Sequence, residues 1–338
     1  MRPFFTYLII CWAMLPCAGR LIAQDLHFSQ PALNPLALNP ALTGVFDGSW
    51  RATAAHRSQW KSVPVNYNTN TIGADLKIWS KGRNGFAAGM LMAFDRAGDL
   101  GLNWNQLGLQ GSYTRALGSA HALSGGFGLS FVGRNVDLAK LKVQNQWNGE
   151  QFSPGLPTKE PFTSDNTGLK PSLSAGLNWH LQPAGTRSRA DVGGSIAHLN
   201  QPDLTMAEQY PYALPSRFNA AFSGAWQLND VLDLVGYGLW QQMQTAHETV
   251  AGAGVRAMIT NEPANLTSLQ FTFGARFGDA LIPALQLVHN NWTVGVAYDI
   301  NISDFDIATN KRGGIEVAVI YCPIPVPPLE KSKSCPIF

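Results

Sequence analysis

Strict alternation of apolar and polar side chains recurs along this chain. From Phe218 to Leu228, every second residue is apolar or glycine, and the residues between them are small or polar. The same pattern starts at Leu173, at Leu269 and at Trp292. Because side chains alternate between the two faces of a β-strand, each segment has one oily face and one small or polar face. The pattern predicts strands of either a membrane β-barrel or a soluble β-sandwich.

The connections between these segments distinguish the two folds. Fourteen segments can be counted, and they start near residues 50, 69, 85, 103, 121, 171, 188, 216, 231, 245, 267, 280, 291 and 312. Tight turns rich in Gly, Pro and Asn follow strands two, four, six, eight and twelve, whereas the longest loops (135–169, 199–215 and 302–311) follow strands five, seven and thirteen. Long loops at one end only are typical of outer-membrane barrels. We therefore predict an all-β transmembrane outer-membrane β-barrel of about 14 antiparallel strands.

A pair of tryptophans in the first segment supports a membrane barrel. Trp50 and Trp60 share one face and lie ten residues apart. At about 3.3 Å per residue and a tilt of about 40°, this separation rises about 25 Å, the height of a barrel's apolar band. Tryptophan favours both membrane–water interfaces, so the pair is a candidate aromatic girdle. His56 lies between them on the same face and fits lipid poorly, unless a bulge or an irregular strand turns it inward.

Residues 1–23 have the features of a secretory signal peptide. Arg2 supplies a positive start, residues 4–18 are mostly apolar, and small residues lead to a cleavage site after Ala23. A lipoprotein signal ending at Cys17 fits less well, because a proline precedes this cysteine. Beyond the predicted cleavage site, no run of about 20 apolar residues remains that could form a transmembrane helix.

The composition of the chain limits the classes of function that it can have. The formal net charge of +2 gives no broad electrostatic field, so nucleic acid is not an expected partner. Charged residues make up 14% of the chain, well below the roughly 25% of soluble domains, and glycine is abundant at 33 residues. No Gly-rich phosphate loop, metal-spaced His/Cys cluster or GxSxG motif occurs, so we predict no cofactor, metal site or catalytic residue.

Several blocks, in their order along the chain, resemble those of a known family. The blocks are HFSQPALNPLALNPALTG (27–44), HRSQW (56–60), AGDLGLN (97–103), AHLNQPD (197–203), DALIPALQL (279–287), VGVAYDINIS (294–303) and GGIEVAVIY (313–321). Together they resemble the PorP/SprF family of outer-membrane proteins of the type IX secretion system of Bacteroidetes-type bacteria. The resemblance implies a non-enzymatic barrel that helps to secrete large proteins or to hold them on the cell surface, including gliding adhesins and other cargo with C-terminal sorting domains.

The first of these blocks, residues 27–44, fits neither a strand of the sheet nor a free linker. Residues 27–44 contain three prolines and four leucines, too many prolines for an inner strand and too many leucines for a free linker. We expect residues 24–48 to form a folded Pro-rich segment against the periplasmic mouth of a barrel that spans residues 49–321. The alternative is a partly ordered leader before the first strand.

The other end of the chain carries two cysteines. Cys322 and Cys335 bracket a Pro-rich stretch in residues 322–338, which form a periplasmic tail if the strand number is even. An oxidising compartment would allow them to form a disulfide, and two free thiols on a mobile tail are the alternative.

Isolated polar residues in the segments carry weaker signals. Arg134, Asp191 and Arg276 are expected in lumen charge pairs. His198, with Asn200 and Asp203, could belong to a membrane-embedded hydrolase, since a phospholipase in the membrane can use Ser, His and a carboxamide. The candidates His198, Asn200 and Asp203 lie within six residues at a strand-to-loop boundary, which favours a structural or solvated role.

Two function classes therefore remain open. The first is a component of the type IX secretion system, whose partners would be secreted cargo proteins with C-terminal sorting domains, other type IX secretion or periplasmic components, and outer-membrane lipid. The second is an outer-membrane channel or transporter for small or hydrophobic solutes. A lumen filled by residues 27–44 and the 135–169 loop would favour the first, and a continuous pore lined by ordered charge would favour the second.

Overall fold

The computed structural model describes residues 26–59, 67–98, 100–262, 265–303 and 312–323. In these residues, fourteen antiparallel strands close into a barrel in which each strand pairs with its neighbours in the chain and β1 pairs with β14. The strands are β1 (Trp50–Gln59), β2 (Tyr67–Lys81), β3 (Asn84–Ala97), β4 (Leu102–Ala116), β5 (His121–Asn135), β6 (Lys170–Leu181), β7 (Arg189–Ala197), β8 (Arg217–Gln227), β9 (Leu232–Met243), β10 (Ala246–Glu262), β11 (Asn265–Arg276), β12 (Ala280–His289), β13 (Trp292–Asn301) and β14 (Arg312–Tyr321). The predicted barrel and its strand number are confirmed.

The alternating pattern sorts residues between the outside and the lumen, as predicted. On β8, Phe222 is 45% exposed on the outer face, whereas Asn219 and Ala225 are buried on the inner face. On β11, Phe271 and Phe273 point outward in the same way. The outer wall is therefore an apolar belt, which is the surface that lipid requires of a barrel. None of the helices among the described residues combines the length and apolar character needed to cross a bilayer.

The two ends of the barrel differ in their connections. At the end that we call the short-turn end, the chain turns tightly, as at Gly82-Arg83 and Asn290-Asn291. The opposite end, the long-loop end, carries the connections 136–169 and 198–216. These two loops join where Thr163 N–H donates to the carbonyl of Met206 at 3.0 Å.

The Pro-rich segment lies inside the barrel. It contains two short 3₁₀ helices (Pro31–Leu33 and Pro40–Leu42) and, between them, a single α-helical turn, α1 (Pro35–Leu38). Pro begins each of these elements, where its missing N–H costs nothing. Within residues 26–44, only Ala32 is exposed.

This location corrects the expectation that the segment lies against the periplasmic mouth. The carbonyl of Leu26 accepts a hydrogen bond from Arg217, the first residue of β8, at the long-loop end. At the other end of the segment, the carbonyl of Phe46 accepts from Lys77, close to the short-turn end. The segment therefore runs through the lumen from one end to the other, because only the lumen covers so many leucines and main-chain groups together.

Three residues of the sequence predictions lie outside the described residues, namely Ala23, Trp60 and Cys335. The signal cleavage site, the Trp50–Trp60 girdle and the Cys322–Cys335 disulfide therefore stay predictions. Trp50 does face outward, and Tyr321 packs beside it with ring centroids 5.3 Å apart. His56 also faces outward, in regular register with Asn70, whose side-chain oxygen lies 2.8 Å from its Nδ1. A polar partner, and not a bulge, accommodates this histidine.

Candidate functional site

The segment in the lumen is held at the long-loop end by the carboxylate of Glu316, on β14. The two carboxylate oxygens accept the main-chain N–H groups of Ser29, at 2.6 Å, and Gln30, at 2.9 Å. The Ser29 hydroxyl donates to Asp299 on β13, at 2.6 Å. Hydrogen bonds to a charged group are stronger than neutral ones, and all these groups are buried. We call this arrangement the long-loop anchor.

Two arginines complete the long-loop anchor. Arg57, on β1, donates to Asp299 at 2.6 Å and to the carbonyl of His27 at 2.8 Å. Arg276, on β11, donates to Asp299 at 3.0 Å and to the Ser29 hydroxyl at 2.9 Å. Asp299 therefore lies between two guanidinium groups, which offset the cost of burying its charge.

A second group, the short-turn anchor, holds the other end of the segment. Asp75 on β2 accepts the Gly44 N–H at 2.8 Å and binds the guanidinium of Arg51 through both carboxylate oxygens, at 3.0 and 2.8 Å. Arg51 also donates to the carbonyl of Leu42 and lies 4.7 Å from the ring centre of Phe46. The Arg51–Asp75 ion pair thus holds this end of the segment, whereas several charged residues hold it at the long-loop end.

Between the anchors, uncharged side chains bind the main chain of the segment. Gln110 donates to the carbonyl of Leu36 at 2.7 Å, and Ser195 and Asn219 both donate to that of Leu38, at 2.6 and 2.9 Å. In the opposite sense, the Asn39 amide donates to carbonyls of the wall strands β6 and β7. A buried, irregular chain needs such partners for its polar groups.

Inward-facing glycines make room for the segment. A Cβ atom at Gly126 would overlap the main chain of Pro40 and Ala41. A Cβ atom at Gly295 would likewise overlap Gln30 and Leu33. These glycines therefore allow close approach of the wall, which is one of the roles that glycine has in strands.

The long loops cover the end of the segment. Leu204 and Leu214, in the 198–216 connection, belong to the same buried apolar cluster as Leu26 and Phe28. Beside the segment, a lumen cavity of about 30 Å³ adjoins His27 and has room for about one or two water molecules. A larger cavity of about 460 Å³ lies on the lipid-facing wall, where small residues of β1 and β2 form its floor.

Comparison with known proteins identifies the family. The family model described as type IX secretion system membrane protein PorP/SprF matches residues 21–321. The chain belongs to the PorP/SprF family. Together with the closed barrel and its apolar outer belt, membership places this PorP/SprF protein in the outer membrane as a multi-pass β-barrel. No curated protein matches the chain.

Solved structures similar to this PorP/SprF protein are other barrels. A deltaS2S3 mutant of the monoaromatic hydrocarbon channel TodX is 8% identical with a TM-score of 0.45, covering 85% of this chain and 93% of that one. A FadL homologue of Pseudomonas aeruginosa is 11% identical with a TM-score of 0.41, covering 90% and 95%. The translocator domain of autotransporter NalP from Neisseria meningitidis is 11% identical with a TM-score of 0.33, covering 87% and 96%. This likeness concerns the fold alone.

The hydrolase candidates of this PorP/SprF protein do not come together as a triad. His198 is buried, and its Nδ1 lies 2.7 Å from the hydroxyl of Ser172. The Asn200 amide instead binds main-chain groups of Pro171 and Leu173. Asp203 accepts from the hydroxyl and N–H of Thr205, and these bonds lower the pKa of its carboxyl group.

The predicted lumen charges have three different environments. Arg276 pairs with Asp299, as expected. Asp191 lies 2.9 Å from Nδ1 of His180, and the pair is ionic only when the histidine is protonated. Arg134 lies over the rings of Trp104 and Tyr212, with its guanidinium carbon 5.4 and 4.8 Å from their centres.

Cys322 of the predicted disulfide lies directly after β14. It is half-buried beside Gly48, and burial raises the pKa of its thiol. A raised pKa lowers the thiolate fraction and so slows spontaneous reaction of this cysteine.

Sequence reasoning missed Arg57, Asp299 and Glu316 as functional residues. Asp299 and Glu316 are each the one buried charged residue on the inner face of β13 and β14, and Arg57 shares the inner face of β1 with Arg51. Such a residue facing a barrel lumen must have a charged or main-chain partner, and this was the signal that could have identified all three.

Proposed function

We propose that this protein is a non-enzymatic component of the type IX secretion system that supports the secretion or cell-surface anchoring of cargo proteins with C-terminal sorting domains, such as gliding adhesins. One observation carries the choice between this role and a solute channel. Residues 26–44 occupy the lumen and are bound to the wall at both ends. A lumen filled in this way favours a role in handling proteins over free diffusion of small solutes.

Deletion of the gene tests this role. Specific surface proteins should be missing or unanchored in the deletion strain, while uptake of small solutes barely changes. Complementation with the wild type should restore display, and so should the His198→Ala variant if it folds. Normal cargo display together with a lost uptake activity would contradict the proposal and favour a channel.

We also propose the orientation of the barrel, with the long-loop end outside the cell and the short-turn end in the periplasm. Tags inserted near Asn166 or Asp203 should then be labelled on intact cells, and tags at Asn229-Asp230 should not. Labelling at Asn229-Asp230 in sealed cells would reverse the orientation.

In this orientation, residues 322–338 would form a periplasmic tail that meets other components of the secretion system. Removal of residues 323–338 leaves β14 whole, so the barrel should still assemble while export drops. Unchanged export after this truncation would contradict the docking role of the tail. The matched control is Cys322→Ser with Cys335→Ser, which removes the predicted disulfide and keeps the tail.

A further inference from the structure

The lumen wall recognises the main chain of the segment more than its side chains. Eight wall side chains donate to carbonyl oxygens of the segment: Arg57 to His27, Gln110 to Leu36, Arg217 to Leu26 and Ala37, Ser195 and Asn219 to Leu38, Arg51 to Leu42, Ser112 to Thr43, and Lys77 to Phe46. Glu316 and Asp75 accept main-chain N–H groups of the segment. Every peptide offers these groups.

The ion pairs of the wall do not depend on the segment. Residues 26–44 contain no Asp, Glu, Lys or Arg. Asp299 pairs with Arg57 and Arg276, and Asp75 pairs with Arg51, all within the wall. If the segment leaves, these ion pairs become exposed to water but keep their partners. Departure of the segment therefore leaves no buried charge without a partner.

The segment is also not part of the sheet. The barrel closes through pairing of β1 to β14 alone, so each strand keeps both neighbours whether or not the segment is present. The segment is attached by hydrogen bonds and by apolar contacts of residues such as Phe28, Leu33 and Leu38. These are the interactions that a bound peptide ligand makes.

From these three observations we propose that the lumen is a peptide-binding site, that residues 26–46 are its tethered occupant, and that a segment of another protein takes their place. The chemistry of the site defines that ligand as an uncharged peptide, rich in leucine and interrupted by prolines. The proposal goes beyond the role in secretion, because peptide binding is measurable whether or not export depends on this protein.

Cleavage of the chain between the segment and β1 tests whether another peptide can replace the segment in the lumen. Asp47 is exposed, so a protease site inserted after it can be cut in the folded, purified barrel. A dye-labelled synthetic peptide of residues 26–47 is then added, and its fluorescence anisotropy is measured. We expect the cut barrel to bind the peptide at least 100-fold more tightly than the uncut barrel. Equal binding to both, or a cut segment that never exchanges with excess peptide, would overturn the proposal.

Peptides with single main-chain changes test what the wall recognises. Ester bonds that replace the N–H groups of Ser29 and Gln30 remove both donors to Glu316, and we expect binding at least 30-fold weaker. An ester at Ala32, which is exposed, is the matched control and should change binding less than threefold. If the esters at Ser29 and Gln30 weaken binding no more than the ester at Ala32, the wall does not recognise the main chain.

Discussion

The two anchors hold one segment with the same kinds of bonds, but their partners lie at different distances along the chain. At the short-turn anchor, Gly44 and Asp75 are 31 residues apart, and Arg51 and Asp75 are 24 residues apart. At the long-loop anchor, Ser29 lies 287 residues from Glu316 and 270 from Asp299. The first anchor needs only the β1–β2 hairpin, whereas the second exists only when β14 pairs with β1 and closes the barrel. The difference indicates that the long-loop anchor can form only after the barrel has closed, whereas the short-turn anchor can form before closure.

The largest effect is expected from Arg57→Met. This change leaves Asp299 with one guanidinium partner and removes the nearest positive charge from Glu316, both of them buried. Removing one partner from a buried ion pair costs about 3–5 kcal/mol. Urea unfolding of the purified barrel in lipid vesicles measures the loss in free energy of unfolding. A loss below about 1 kcal/mol would show that water reaches this anchor and replaces the arginine.

Arg51→Met makes the matched change at the short-turn anchor. Arg51 faces one carboxylate and is 8% exposed, whereas Arg57 faces two and is 1% exposed, so we expect a smaller loss of about 3 kcal/mol in the same assay. A loss equal to that of Arg57→Met would remove the energetic distinction between the anchors, although their difference in chain separation would stand.

Substitutions at two adjacent glycines test how closely the wall packs against the middle of the segment. A Cβ at Gly126 would overlap Pro40 and Ala41, whereas a Cβ at Gly125 points outward and would meet only Leu177, at an ordinary 3.5 Å. We expect Gly126→Ala to cost about 1–3 kcal/mol through overpacking and Gly125→Ala less than about 0.5 kcal/mol. Proteolysis of the segment in the two folded variants provides a second readout. Equal protection in both would mean that the wall does not press on the segment at Gly126.

Much of the fold could be predicted because its signals are local. Alternation defines a strand within a few residues, and loop lengths can be counted, so the start of β2 at Tyr67 was predicted to within two residues and that of β5 at His121 was correct. The position of residues 26–44 was wrong because it depends on the width of the lumen and on the glycines that line it. Neither quantity is visible before the strands are assembled.

The candidate site could be predicted only where one residue carried the signal. Arg276 was expected in a lumen charge pair, since an arginine on a small or polar strand face has few alternatives. Arg276 binds Ser29 and also Asp299, which Arg57 binds as well, and these contacts require the closed barrel that brings β1, β11, β13 and the segment together. Pairing across such separations follows from topology and not from any local pattern.

The smallest expected effect compares two hydroxyls of the segment, that of Thr43 beside the short-turn anchor and that of Ser29 in the long-loop anchor. Thr43 donates to the neutral amide oxygen of Gln110 at 3.2 Å, so Thr43→Val should cost about 0.5–1.5 kcal/mol. Ser29 bonds to the charged groups of Asp299 and Arg276, and Ser29→Ala should cost about 1.5–3 kcal/mol. Unfolding of both variants and of the double mutant measures the difference. The two hydroxyls share no partner, so their effects should add to within about 0.5 kcal/mol. A larger coupling would mean that the segment responds as one rigid unit, and the two anchors would then have to be treated as a single site.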